Sequence, residues 1–156
     1  MSILDPRVVE FAVDAGLRVI ESEGAVRLET SDTGLVVRED DGSIRVEMIE
    51  RGVLEGVDLV TGSRALLDRF IVLRAGLTWR SRHRLGHPPA PGPRSLPGGN
   101  SVREQPDGWS VVVSQEGSAE VTSVHEARRL ARAVAFGVDE VIASVKDPHG
   151  RPALVP

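Results

Sequence analysis

The stretch Leu35-Val36-Val37-Arg38-Glu39-Asp40-Asp41-Gly42-Ser43-Ile44-Arg45-Val46-Glu47-Met48-Ile49 decides the fold class. Its two ends are short runs rich in Val, Ile and Leu, and the break between them, Asp40-Asp41-Gly42, is turn chemistry. In the second run Ile44, Val46 and Met48 alternate with Arg45, Glu47 and Ile49. A period of two turns one set of side chains inward and the other outward, which suits a half-buried strand. The same reading extends in both directions. Residues 17–20 and 25–29 precede as strands, with breaks at Glu23-Gly24 and Asp32-Thr33-Gly34, and residues 57–60 offer a further strand.

Helices flank this meander. Leu4, Val8, Phe11 and Ala15 recur at helical spacing, with Asp5 placed to cap, Pro6 at the first helical position and Gly16 at the end. The strongest helix spans residues 63–75, opened by Ser63 and ended by Gly76. Leu66, Leu67, Phe70, Ile71 and Leu73 leave it only the narrow polar stripe of Arg64, Asp68 and Arg69. It should lie buried across a sheet.

Residues 86–99 hold Pro88, Pro89, Pro91, Pro93 and Pro97, which exclude a helix or a central strand. They read as a semi-rigid surface connector. Strands resume at residues 101–104, 109–114 and 119–122. Ser123 and Glu126 then have capping-box spacing before a helix with Ala127, Leu130, Ala131 and Val134 on its core face. Gly137 breaks it, and Asp139 and Glu140 open a shorter helix carrying Val141, Ile142 and Val145. The order strands-then-helix thus occurs on both sides of the connector, without a residue-level repeat. The expected architecture is α+β: antiparallel sheet with helices on one face, in two loosely repeated halves.

At 156 residues the chain fits one domain, residues 1–156, large enough to hold a core without disulfide or metal. It has no cysteine, so thiolate catalysis and cysteine-ligated zinc are excluded, and a reducing compartment is permitted. No signal peptide opens it and no apolar run is long enough for a membrane span, so a cytoplasmic location is expected. The net charge of −4 argues against general nucleic-acid binding. With little aromatic content, the core must be built from Val, Leu, Ile and Ala.

The search for chemistry returns no catalytic, metal or cofactor site. Gly98-Gly99-Asn100-Ser101 lacks the lysine and following helix of a phosphate loop, and Thr61-Gly62-Ser63-Arg64-Ala65 lacks the second glycine of a nucleophile elbow. Ser63 reads as a helix cap. His83 and His87 are four apart, but Gly86 and Pro88 argue against a helix there and no carboxylate ligand is close, so they read as solvated loop histidines.

Two segments carry the expectation of an interface. The first is Arg51-Gly52-Val53-Leu54-Glu55-Gly56-Val57-Asp58, taken as an exposed crossing in which Val53 and Leu54 anchor a partner and Glu55 and Asp58 supply acid. Its alternative is an edge strand that places Val53 and Leu54 in the core. The second is Trp79 with Arg80, Arg82 and Arg84, residue types that recur at binding hot spots. Its alternatives are a solvated connector with Trp79 tucked inward, or a nucleic-acid contact, which the acidic remainder disfavours.

The opening Val9-Glu10-Phe11-Ala12-Val13-Asp14-Ala15-Gly16-Leu17, the helix running into a Trp/Arg segment over residues 66–84, and the tail Lys146-Asp147-Pro148-His149-Gly150-Arg151-Pro152-Ala153-Leu154 resemble the actinobacterial immunity proteins of polymorphic-toxin systems. The group resembled most is the antitoxin family of the tuberculosis necrotizing toxin. The resemblance implies a non-enzymatic protein that binds a cognate toxin encoded by a neighbouring gene. That toxin would be an NAD-degrading glycohydrolase, blocked in the producer's cytosol, with no small-molecule substrate, nucleic acid or membrane as partner of the antitoxin. A secretion chaperone or adaptor is the alternative of a different class.

Overall fold

A computed structural model describes residues 2–156. The quoted stretch forms β3 (Thr33–Asp40) and β4 (Ser43–Glu50), antiparallel, with Asp40 opposite Ser43. Asp41 and Gly42 both take positive φ, the hairpin geometry whose twist matches the flanking strands. β1 (Arg18–Ser22) and β2 (Ala25–Glu29) continue the meander on one side. On the other side lies β5 (Val53–Thr61), which corrects the sequence reading of residues 51–58 as a crossing. Only Arg51 and Gly52 form the turn, both at positive φ, and Glu50 already faces Val53.

A second meander, β6 (Ser101–Glu104), β7 (Ser110–Ser114) and β8 (Gly117–Val121), joins the first through its last strand. Leu59–Thr61 of β5 pair antiparallel with Ala119–Val121 of β8. One eight-stranded antiparallel sheet results, in the order β1-β2-β3-β4-β5-β8-β7-β6. The two strands-then-helix halves meet at its middle: β5 and β8 are each the last strand of a half, and each runs directly into a serine-capped helix. Ser63 Oγ accepts from the Leu66 amide and Ser123 Oγ from the Glu126 amide. The capping box at Ser123 is only half made, because the Glu126 carboxylate turns to Arg129 at 2.8 Å.

α1 (Pro6–Asp14) starts as expected, with Asp5 accepting from the Arg7 amide. α2 spans Arg64–Arg82, a second correction: it does not stop at Gly76. Gly76 serves close packing there. A Cβ at this position would stand 2.9 Å from Val145 Cγ2, so the missing side chain is what lets α4 (Val138–Lys146) lie against α2. The continued helix carries Trp79, Arg80 and Arg82 on its last turn instead of on a connector.

α1, α2 and α3 (Val124–Ala133) pack on one face of the sheet, and α4 lies on α2 and α1 on the same side. Leu66, Leu67, Phe70 and Ile71 of α2 are buried against Val26, Leu28, Val37, Val46 and Leu59 from the strands. The proline-rich connector is tied down along its length. Arg129 donates to the Pro88 carbonyl, Arg132 to Ser95, and the Asn100 side-chain amide to Ala131. The tail folds back as well: the Asp147 carboxylate accepts from the His149 and Arg151 amides, and Ala153 is fully buried with its amide donating to Ser144 Oγ.

Candidate interaction surface

Side chains that could have carried chemistry are engaged structurally. Ser63 Oγ donates to the Glu116 carbonyl at 2.7 Å while capping α2. His83 does not float in a loop: it closes the C-terminus of α2, and its ring stacks on Trp79 with centroids 3.8 Å apart. Among the described residues no group of three or more His, Asp or Glu side chains is placed to hold a metal ion.

The second predicted segment divides. Arg80 is buried, and its guanidinium donates to the carbonyls of Gly86, Val145, Asp147 and Pro148 at 2.7–3.1 Å. Burial lowers its pKa from the ordinary arginine value, with the Asp147 charge acting the other way. It is a clamp holding the end of α2, the start of the connector and the tail together, so it is not available to a partner. Trp79 is half-buried beneath His83 and the Lys146 ammonium, which lies 5.9 Å from its ring. Arg82 covers Gly16 at the end of α1. Arg84 is exposed, with positive φ just beyond the helix.

The first predicted segment also divides. Val53 is 60% and Leu54 51% exposed, so they stand in a strand but outside the core. Glu55 and Gly56 are exposed beside them. Asp58 is different: its carboxylate pairs with Arg74 at 2.8 Å and ties β5 to α2, and its carbonyl accepts from the Thr122 amide. β8 pairs only with Leu59–Thr61, so the first part of β5 has β4 on one side and no strand on the other.

Sequence reasoning did not single out the face of the sheet opposite the helices. Strand pairing places three cross-strand rungs on it. They run Arg18, Glu29, Gly34, Ile49, Leu54; then Ile20, Arg27, Val36, Glu47, Val57; then Ala25, Arg38, Arg45, Val60, Glu120, Val111, Arg103. Val36 and Ile49 are only 3% and 6% exposed, yet neither belongs to the helix-covered core. They form a small apolar centre on this open side, screened by neighbouring side chains. Glu29 is held by Arg18 and by Arg27, and Arg38 approaches Glu47 at 3.6 Å. Arg45 and Arg103 make no ion pair among the described residues. The signal that could have revealed this face is the outward half of each alternating strand, which here is richer in Val, Ile and Leu than solvent alone requires.

A family model described as Immunity protein 61 matches residues 11–153. The chain belongs to this immunity-protein family. The match covers both strands-then-helix halves and the connector between them, and it upholds the resemblance drawn from the opening, the central helix and the tail. Among solved structures the chain is similar to one described as Rv3902c from M. tuberculosis. That likeness has a TM-score of 0.80 at 16% identity and covers 97% of this chain and 94% of the other. At that identity the likeness establishes a shared fold. No curated protein matches the chain significantly. Among the described residues no helix is long and apolar enough to cross a membrane.

Proposed function

We propose that this immunity protein binds a cognate secreted toxin in the producing cell's cytosol and blocks it, and that the toxin is an NAD-degrading glycohydrolase. The observation that carries the first part is the family match over residues 11–153. The second part rests on the resemblance to the antitoxins of the tuberculosis necrotizing toxin. Blocking needs a rigid body with an exposed adhesive surface and no chemistry of its own. The exposed pair Val53 and Leu54, with the Arg51-Gly52 turn and Glu55 beside them, is part of the contact. Asp58 belongs to the scaffold through its pair with Arg74.

The test is co-expression with the toxin encoded by the neighbouring gene. Immunity at low copy number requires a dissociation constant in the nanomolar range or below, about −12 kcal/mol or stronger. Growth should be rescued and the two proteins should co-purify in fixed stoichiometry. Failure to rescue, with both proteins folded, ends the immunity reading for this pair. An NAD-consumption assay separates the second claim. The toxin alone should consume NAD, the complex should not, and this chain alone should turn over none. A toxin that kills without consuming NAD removes the glycohydrolase assignment and leaves the immunity reading standing.

A further inference from the structure

We propose that the toxin seats on the helix-free face of the sheet over β1 to β5, and that this face selects a toxin surface with an apolar centre and an acidic surround. The proposal rests on the immunity reading above and deepens it by naming the surface and the chemistry of its partner.

An antiparallel sheet with one solvated face ordinarily alternates apolar inward and polar outward. Here the outward rungs depart from that pattern where the strands are longest. Val36 and Ile49 are buried without any helix to cover them, and Leu54 and Val57 continue the apolar centre along β5. Ile20, 40% exposed, lies on the same rung as Val36 and Val57. Of the five large apolar side chains exposed among the described residues, Ile20, Leu54 and Val113 point to this side. The exposed part of β5 is therefore one margin of a wider apolar surface. Five strands, β1 to β5, at ~4.8 Å spacing and on average about seven residues at ~3.3 Å rise give a patch of roughly 550 Å². That approaches the ~800 Å² per partner of a standard interface.

The charge on the face identifies what covers it. On β1 to β5 the three rungs carry four arginines, Arg18, Arg27, Arg38 and Arg45, and two glutamates, Glu29 and Glu47, in a chain whose net charge is −4, so the sign of the face opposes the sign of the whole. Arg38 and Arg45 are direct cross-strand neighbours, an arrangement that like charges disfavour, and Arg45 is exposed without an anionic partner. Carboxylates presented by a partner at that rung would relieve the repulsion and pair both guanidiniums, in the bidentate manner that arginine permits. A second copy of this chain seated face to face would instead bring arginine clusters together, because a two-fold interface opposes a patch to itself.

The experiment uses the full chain and the toxin from the neighbouring gene, with binding measured by calorimetry and fold retention by melting temperature. Arg38→Glu/Arg45→Glu should weaken toxin binding at least 100-fold and lower the association rate. Arg45→Gln, which keeps most of the side chain's bulk, should weaken it about tenfold, and Leu54→Asp should weaken it by a similar factor or more. Wild-type affinity should fall as salt rises. Val13→Asp and Arg84→Glu, on the helix side, should bind as wild type does. If the sheet-face variants bind as wild type while wild type binds tightly, the assignment of this face is overturned and the immunity reading survives. If wild type itself binds no toxin, the reading beneath the proposal falls with it. If wild type is a dimer that Leu54→Asp dissolves with toxin binding untouched, the face belongs to a second copy and the proposal is wrong.

Discussion

At the scale of single residues, Arg80 shows how local spacing misleads. In the string Arg80-Ser81-Arg82-His83-Arg84 it looks like one member of an exposed basic cluster. Its helical phase says otherwise: Leu66, Phe70, Leu73, Leu77 and Arg80 follow at steps of four, three, four and three, so position 80 shares the buried face of α2. The phase was readable only once the helix was known to continue past Gly76. Arg80→Ala would strand four carbonyls that now share one guanidinium, and hydrogen bonds to charged groups contribute more than neutral ones. The expected cost is about 3 kcal/mol or more, read as a lower denaturation midpoint. Arg80→Lys should recover little, because an ammonium cannot reproduce the planar fork. Arg84→Ala, exposed beyond the helix, should leave the midpoint unchanged.

At the scale of elements, most strands were legible and β5 only in part, for a reason visible in its pairing. Opposite β4 its register slips twice: Val46 faces Leu59 but Glu47 faces Val57, and Met48 faces Gly56 but Ile49 faces Leu54. Asp58 and Glu55 are the extra residues, and each bulge breaks the period of two on which strand recognition depends. Residues 57–60 were recognised by their Val and Leu content, since Asp58 interrupts the alternation there as well. The helix face of α2 was legible throughout, since Leu66, Phe70, Ile71 and Leu73 are all buried as their spacing implied. Its length was not, because a glycine in a helical pattern is ordinarily an ending, and the close approach of Val145 depends on a segment far along the chain. Leu66→Ala or Phe70→Ala should cost about 2–5 kcal/mol by opening a cavity between α2 and the sheet. An unchanged melting temperature in either variant would contradict the packing described. Gly76→Ala tests the α2–α4 contact separately, with a loss of about 1–3 kcal/mol from overpacking against Val145.

At the scale of the whole molecule, the outward apolar residues were legible strand by strand, but the open face they assemble was not, because it is a property of topology. Residues as far apart as Ile20, Val57 and Arg103 share it only after eight strands are ordered and the helices are known to gather on one side. Global electrostatics gives a further test. Asp5 is held below its ordinary value of 3.8 by the Arg7 guanidinium, and Asp14 by the Lys146 ammonium. Asp147 is held low by the Arg151 and His149 amides, and Glu29 lies below its ordinary 4.5 through Arg18. A carboxylate with a depressed folded pKa adds stability above its unfolded value and loses it as pH falls through the folded one. These four groups together should make the fold progressively less stable below about pH 4.5. Asp68 acts in the opposite sense. Burial raises its pKa, so its charged form costs stability once pH passes above the ordinary 3.8 and through the raised folded value. Asp68→Asn removes that cost while keeping an oxygen to accept from the Asp5 amide, now 3.1 Å away. The melting temperature of wild type should therefore fall as pH drops from about 4.5 to about 3, where the four lowered carboxylates outweigh Asp68. The Asn variant should melt higher than wild type at about pH 7, and the advantage should shrink towards about pH 3, where Asp68 is protonated in both folded and unfolded chains. A wild-type profile flat to about pH 3, or an Asn advantage equal at both ends, would show that these carboxylates do not set the acid limit of the fold.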